Sequence, residues 1–438
     1  MMTHMSTTEP AAPAETQWHF HARILLLHPT ENHVLLHHEA LPAIDHTESL
    51  YMGNKVAGLL EAYSDLVFLQ RLSIVKDKVS ESEGHVHYVF ALVKRTADLP
   101  KGCRWADPSA LSEDVQEFAL QALNPSPRLP WRSRGWLDQA ISWADQALQK
   151  QGLERTGQPE MVKAWEISVL YKLPIQGGTV FLKAVPDYFE REGPLTRWLS
   201  GLHPGAAPEV LALDPEQNIF LLKGAGHEKV GPEKAQTAVQ LLATLQRKTE
   251  SRTGELLQLG CLDRGCQALK QHVQDLLVDD GALGAGDLLT PEEQIRLKNT
   301  LPVLHQMLDD LDSSPIPSTL VHGDVHLGNV VSEGDTLTFL DWSDGSVSHP
   351  FIDMNSRYLL DSENPDELQQ LTDSYLQAWT DVLPLEDLRE LHKKAVLAGE
   401  LHRAVSYHRY IIPGVGGKSD WDDAYIWHLK NVLNVLER

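Results

Sequence analysis

The stretch His322-Gly323-Asp324-Val325-His326-Leu327-Gly328-Asn329, followed by the apolar run Thr336 to Leu340 that ends in Asp341-Trp342, decides how the chain is read. It sets an aspartate, an asparagine five positions on and a second aspartate at a strand end. The first carboxylate can accept the proton of an attacking hydroxyl, while the amide oxygen and the second carboxylate offer hard oxygen ligands to magnesium. Ser318 to Val321 and Val330-Val331 flank the loop, and Ser332-Glu333-Gly334-Asp335 reads as a hairpin turn. Such a hairpin brings Asn329 and Asp341 to neighbouring strand ends. Taken singly, Asp and Asn are ordinary turn residues, and it is their joint order that points to chemistry.

A spacing of five also separates base from metal-binding asparagine in the protein-kinase loop H-R-D-x-x-x-x-N, with Gly323 here in place of the arginine. Lys183 closes Val180-Phe181-Leu182-Lys183, a β-type run after the turn Gln176-Gly177-Gly178. That is the setting of the strand lysine that meets the α and β phosphates, although a lone strand lysine also fits a snorkelling surface role. Its acidic partner is Glu192 or Glu190. Gly193-Pro194 puts Glu192 at or near a helix start, where a carboxylate is favoured in any case. No G-x-G-x-x-G precedes the lysine strand and no G-x-x-x-x-G-K-[ST] occurs, which argues against a eukaryotic-type protein kinase and removes P-loop architectures.

Further features follow in a fixed order: Trp165 to Val169, Phe181-Leu182-Lys183-Ala184, Glu192 ahead of Leu195 to Leu199, Pro208 to Ala212, Phe220 to Gly224, and His349-Pro350-Phe351-Ile352-Asp353-Met354 after the Asp-Trp pair. From about Trp131 to the C-terminus this order resembles the aminoglycoside phosphotransferase-like kinases, which include choline, homoserine and sugar kinases. The resemblance implies an α+β, two-lobed protein-kinase-like fold, with a small β-rich lobe over 131–224 and a larger helical lobe over 225–438 that holds the acceptor site. It implies Asp324 as catalytic base, Asn329 and Asp341 as magnesium ligands, and Lys183 with Glu192 at the phosphates of ATP. Adenine would lie against the connector near Leu222 and Gly224, and His322, His326 and Asp353 would support the loop. The implied reaction is transfer of phosphate from ATP to a hydroxyl of an aminoglycoside-like antibiotic, an amino alcohol or a sugar metabolite. A nucleotide-binding regulator with little transfer activity is the alternative, and the joint presence of Lys183, Asp324, Asn329 and Asp341 favours the enzyme.

The chain ahead of this region is patterned differently. Residues 1–17 lack an apolar signal-peptide core, are rich in Thr, Ala, Pro and Glu, and read as a disordered leader. Residues 18–123 read as a small α/β domain: Arg23 to Leu27 with His33 to His37 as a hairpin, Leu66 to Val75 and His85 to Val93 as strands, and Ser109 to Ala122 as a helix. This order is similar to the Nudix fold, but the acidic box that binds metal in Nudix hydrolases is absent, which implies a hydrolytically dead domain with a specificity, docking or dimerisation role. His85 and His87 share a strand face, where a metal site competes with simple exposed alternation. Asn124 to Pro130 is a proline-rich linker.

The 438 residues carry a formal charge of −23, which argues against nucleic acid or an anionic membrane as partner. The three cysteines, Cys103, Cys261 and Cys266, lack zinc or redox spacing, and no apolar run approaches membrane-spanning length, so a cytoplasmic setting is expected. Helical periodicity runs over Trp136 to Gln151, Glu233 to Thr249, Leu262 to Leu277, Pro291 to Leu311 with Thr290 as cap, Glu367 to Val382, Leu385 to Ala404 and Trp421 to Leu436. By the family resemblance the last helices line the acceptor site. Candidate contacts are Asp361, Glu363, Tyr407, Asp420, Trp421, Asp422 and Asp423. A tryptophan among carboxylates suits a cationic amine or a sugar face, whereas Asp422 and Asp423 suit a helix start.

Overall fold

A computed structural model describes residues 16–80, 83–226, 228–415 and 421–436. The expected leader therefore lies almost wholly outside the described residues, as does Asp420. The chain divides into two compact units, one of residues 1–141 and 161–165, the other of 142–160 and 166–438. The division falls inside the helix Trp136–Lys150, so Trp131 belongs to the first unit, where its indole Nε1 donates to Trp165 O at 3.1 Å.

The first unit is built on a mixed six-stranded sheet whose long central strands, Gln17–Leu27 and Glu83–Lys94, run parallel and in register. Their period-two alternation buries both faces. Ile24, Leu26, Val86, Tyr88, Phe90 and Leu92 enter one apolar cluster, and Leu25, Leu27, Val89, Ala91 and Val93 pack with Ala119, Ala122 and Leu123 of the helix Glu113–Leu123 in another. His19, His21, His85 and His87 share a face near the strand starts, their rings stacked 5.0–5.4 Å apart across the pair. His21 bonds His85 at 2.8 Å and Asp45 at 2.6 Å, and among the described residues no group of three His, Cys, Asp or Glu is arranged to hold a metal ion.

In the second unit, antiparallel strands follow the order Val210–Asp214, Ile219–Lys223, Gly178–Ala184, Val169–Ile175. Gln176 and Gly177 make the tight turn between the last two, and Gly177 takes the left-handed φ of +83° that such a turn demands. Helix Glu192–Leu202 follows. Helices Ala235–Thr249, Cys266–Val278, Pro291–Asp312, Pro365–Leu376, Leu385–Val405 and Ala424–Leu436 then enclose one continuous apolar core. Thr290 caps Pro291–Asp312 in a capping box with Glu293. One expected helix starts late: Leu262 and Asp263 pair with Ser346 and Val347 as a short parallel strand, and the helix opens only at Cys266. The sheet partner outcompetes local helical periodicity there. No helix among the described residues is long and apolar enough to cross a membrane.

Helix Leu385–Val405 approaches the segment Pro350–Asp353 through Gly399, where a Cβ would stand 2.6 Å from Ile352 O. Gly399→Ala should therefore lower stability by about 1–3 kcal/mol in spite of alanine's better helix propensity. Gly201→Ala, with nothing within 4 Å of the new methyl, should be neutral or stabilising. Paired thermal melts check both.

Candidate active site

Strand Thr319–Val321 delivers His322 and Gly323 to a buried carboxylate. The backbone N–H groups of His322 and Gly323 donate to Asp353 Oδ2 and Oδ1 at 2.7 and 2.9 Å, and Gln246 Nε2 adds a third bond at 3.2 Å. Gly323 has φ +85°, and a Cβ there would meet Asp344 Cβ at 2.8 Å, so the loop turns where only glycine fits. The His322 ring packs 4.5 Å from Trp342; its Nδ1 accepts from the Asp324 N–H at 3.3 Å and its Nε2 donates to Leu340 O at 2.8 Å. That pair of bonds sets one neutral tautomer and ties the loop to the end of the following hairpin.

The hairpin is Val330–Glu333 with Thr336–Phe339. Leu340 N donates to Asn329 O at 2.8 Å, which holds the two strand ends together as the sequence order implies. Asn329 Nδ2 donates to Asp324 O at 3.0 Å and reaches Asp324 Oδ2 at 3.3 Å. This directs the amide's nitrogen inward and turns its oxygen away. Asp341 takes a left-handed φ of 60° and accepts from Lys183 Nζ at 2.9 Å. Lys183 also bonds Glu192, which opens its helix; the pairing is with Glu192, while Glu190 stands in the preceding turn. Burial opposes the charge of Lys183, but the carboxylates of Asp341 and Glu192 hold its ammonium above the ordinary lysine range. On the neighbouring strand Leu222 pairs with Phe181, and Gly224 N donates to Thr179 O at 3.1 Å.

Asp324 opens onto a cavity of about 300 Å³ lined also by His326, Asp344, Tyr358, Arg403, Tyr407, Trp427 and His428. Burial pushes its carboxyl up, yet the neighbouring His326 and the charge of Arg403 hold it below the usual aspartate value. His326 Nε2 lies 3.6 Å from Asp324 Oδ2, so this histidine touches the carboxylate itself rather than only shaping the loop. Burial raises the Asp344 carboxyl against the pull of Arg264 and Arg191. A π-helical turn over Ser406–Ile411 interrupts the helix and sets Tyr407 against the cavity. Trp421 stacks on Tyr407 at 6.0 Å. Asp361, in contrast, ends the helix Ser356–Leu360 in a left-handed conformation, Glu363 pairs with Arg357, and neither lines the cavity. Asp422 and Asp423 immediately precede the helix Ala424–Leu436.

Sequence reasoning missed Asp344, Tyr358, Arg403, Trp427 and His428. Asp344 had a local signal, three positions after Asp341. The others sit on three helices, Tyr358 on one, Arg403 on another and Trp427 with His428 on a third, that only tertiary packing brings to one wall.

The sequence model of the phosphotransferase enzyme family matches residues 176–391. No curated protein matches the chain. Among solved structures, a choline/ethanolamine kinase family protein from Mesorhizobium loti is 15% identical, with 68% of this chain and 95% of that one covered at a TM-score of 0.47. A macrolide 2′-phosphotransferase from Brachybacterium faecium is 16% identical, covering 66% of this chain and 98% of its own at 0.47. An ethanolamine kinase from Plasmodium vivax is 12% identical, covering 64% and 82% at 0.47.

Asp353→Asn leaves one of the two loop N–H groups facing an amide N–H₂, which should cost about 1–3 kcal/mol. Asp361→Asn, which also tolerates the left-handed conformation, should stay within about 0.5 kcal/mol of the parent. Denaturant melts of the two variants distinguish them.

Proposed function

We propose that the protein, whose residues 176–391 belong to the phosphotransferase enzyme family, moves the terminal phosphoryl group of ATP to a hydroxyl of a small molecule. The observation that carries this is that Lys183 bonds Asp341 and Asn329 bonds Asp324 at hairpin ends held together by Leu340 N and Asn329 O, with Asp324 opening onto a cavity large enough for a small acceptor. Lys183 would meet the phosphates and Leu222 with Gly224 the adenine side. Magnesium fits the donors present: Asn329 gives its N–H₂ to Asp324 and keeps its amide oxygen for a hard cation, and Asp341 supplies a carboxylate beside it. Held by Asn329 and Asp341, the ion would supply positive charge that offsets the charge developing on the transferring group.

Asp324 would orient the acceptor hydroxyl and take its proton. Asn329, by donating to the same residue's carbonyl and carboxylate, holds that side chain in place. Most of the acceleration would come from positioning and electrostatics, since a loose phosphoryl transition state asks for little covalent help. The first unit is read as a Nudix-like module without a hydrolase box, serving docking, specificity or self-association, in a cytoplasmic protein.

Asp324→Asn should reduce transfer by at least about 10²-fold, with the thermal shift by ATP and magnesium retained. A coupled assay for ADP across hydroxylated acceptors measures the first and a melting scan the second. Turnover equal to the parent's would remove Asp324 from the role of base, and nucleotide binding without transfer to any acceptor would favour the regulator. Because the Asp324 carboxyl is held below its ordinary value, it stays ionised as pH falls, so it should impose no acid limb on kcat/KM near neutrality. His326→Ala removes a group that lowers it and should move that limb toward higher pH in a pH–rate profile.

A further inference from the structure

Arg403 lies in the helix Leu385–Val405, three positions after Glu400, and lines the same cavity as Asp324. Its side chain is only 9% exposed, and its guanidinium carbon sits 4.6 Å from the centre of the Tyr358 ring, which lines the cavity too. Among the described residues its guanidinium makes no hydrogen bond and no ion pair. The carboxylates in its field are already occupied. Glu400 accepts from Tyr358 Oη at 2.5 Å, His428 Nδ1 at 2.8 Å, Asn431 at 3.2 Å and Asn355 at 3.4 Å. Asp353 is taken by the N–H groups of His322 and Gly323, and Asp324 by Asn329 and His326. The charges of Asp324, Asp353 and Glu400 act on it, but none of these carboxylates accepts from its five donors, and donors buried without an acceptor are costly. The donors left over border the cavity.

We infer that the substrate brings the missing hydrogen-bond acceptor: it is a hydroxy acid whose carboxylate docks on Arg403 while its hydroxyl faces Asp324. This rests on the phosphotransfer reading of the same site. A carboxylate matches the planar fork of the guanidinium in a bidentate pair. A phosphate or sulfate would bring more charge toward Asp324 and Asp344, which share the cavity, so the singly charged, planar anion fits best. Tyr358 and Trp427, stacked 6.1 Å apart, and Tyr407 wall the space between the two ends with aromatic surface. The body that links hydroxyl and carboxylate is accordingly apolar or aromatic, and a cationic amine placed beside Arg403 would be repelled.

The test uses the full chain and matched probes, 4-(hydroxymethyl)benzoate with 4-(hydroxymethyl)benzamide and a panel of aliphatic hydroxy acids with their amides. Binding is read by calorimetry and phosphorylation by ADP release. At least one acid should bind and react about 10- to 100-fold better than its amide, and Arg403→Gln should abolish that ratio by lowering the acid's kcat/KM far more than the amide's. Arg403→Lys, which keeps charge and bulk, should restore part of the preference and covers the case in which Arg403→Gln folds poorly. No acid preferred over its amide, a preference for amino alcohols, or an equal loss for acid and amide in Arg403→Gln would each overturn the inference. The underlying reading fails differently: it falls if no acceptor of either kind is phosphorylated, or if Asp324→Asn leaves transfer intact.

Discussion

Lys183 is the point through which the second unit is organised. Its strand holds it between Leu170 and Phe220, its ammonium bonds the first residue of the next helix, and the same ammonium bonds Asp341, far along the chain on the hairpin end. A buried ion pair of this kind adds little net stability, because the desolvation of three charged groups offsets their attraction. What it adds is register. A strand slipped by one residue would turn Lys183 to the other face and leave Glu192 buried without a cation, and that cost excludes the alternative.

The loop after His322 is held by a different means, neutral and mostly backbone. Asp353 gathers two N–H groups, His322 spends both ring nitrogens on backbone groups, and Gly323 supplies the one conformation that passes Asp344. Behind Asp353 the chain of bonds continues into the core, through Gln246 to the Tyr375 hydroxyl at 2.6 Å. The catalytic candidate is thus mounted on a support whose polar groups are satisfied from below, which leaves Asp324 to face the cavity. Gly399 lets the helix that carries Arg403 lie against the same support, so the two ends of the cavity share one foundation.

Much of this was legible because the signals were local. Spacing of Asp324 and Asn329, the glycine turn before Lys183, the Gly193-Pro194 helix start and the Thr290 cap each express a constraint acting within a few residues. The choice between Glu190 and Glu192 was not local; it depended on which carboxylate the helix start turns toward the strand. Leu262 was assigned to a helix because periodicity cannot see that Ser346 offers it a strand partner. The cavity wall was least legible. Tyr358, Arg403 and Trp427 come from three helices that only tertiary packing brings together, whereas Tyr407, a candidate from the sequence, is set there by a π-helical turn.

Two charged clusters are also opposite in electrostatic design. Lys183 is saturated by the carboxylates of Glu192 and Asp341. Beside the cavity Glu400 is saturated by Tyr358, His428 and two asparagines, and the Arg403 guanidinium has no hydrogen-bond acceptor among the described residues. Glu400 is the residue that makes this possible. Had its carboxylate turned to Arg403, three residues away on the same helix, the pair would have neutralised itself and the wall would discriminate by shape alone. By giving its oxygens to Tyr358, His428, Asn431 and Asn355, it stays ionised in spite of its burial, fixes two rings of the wall, and leaves the guanidinium to select by charge.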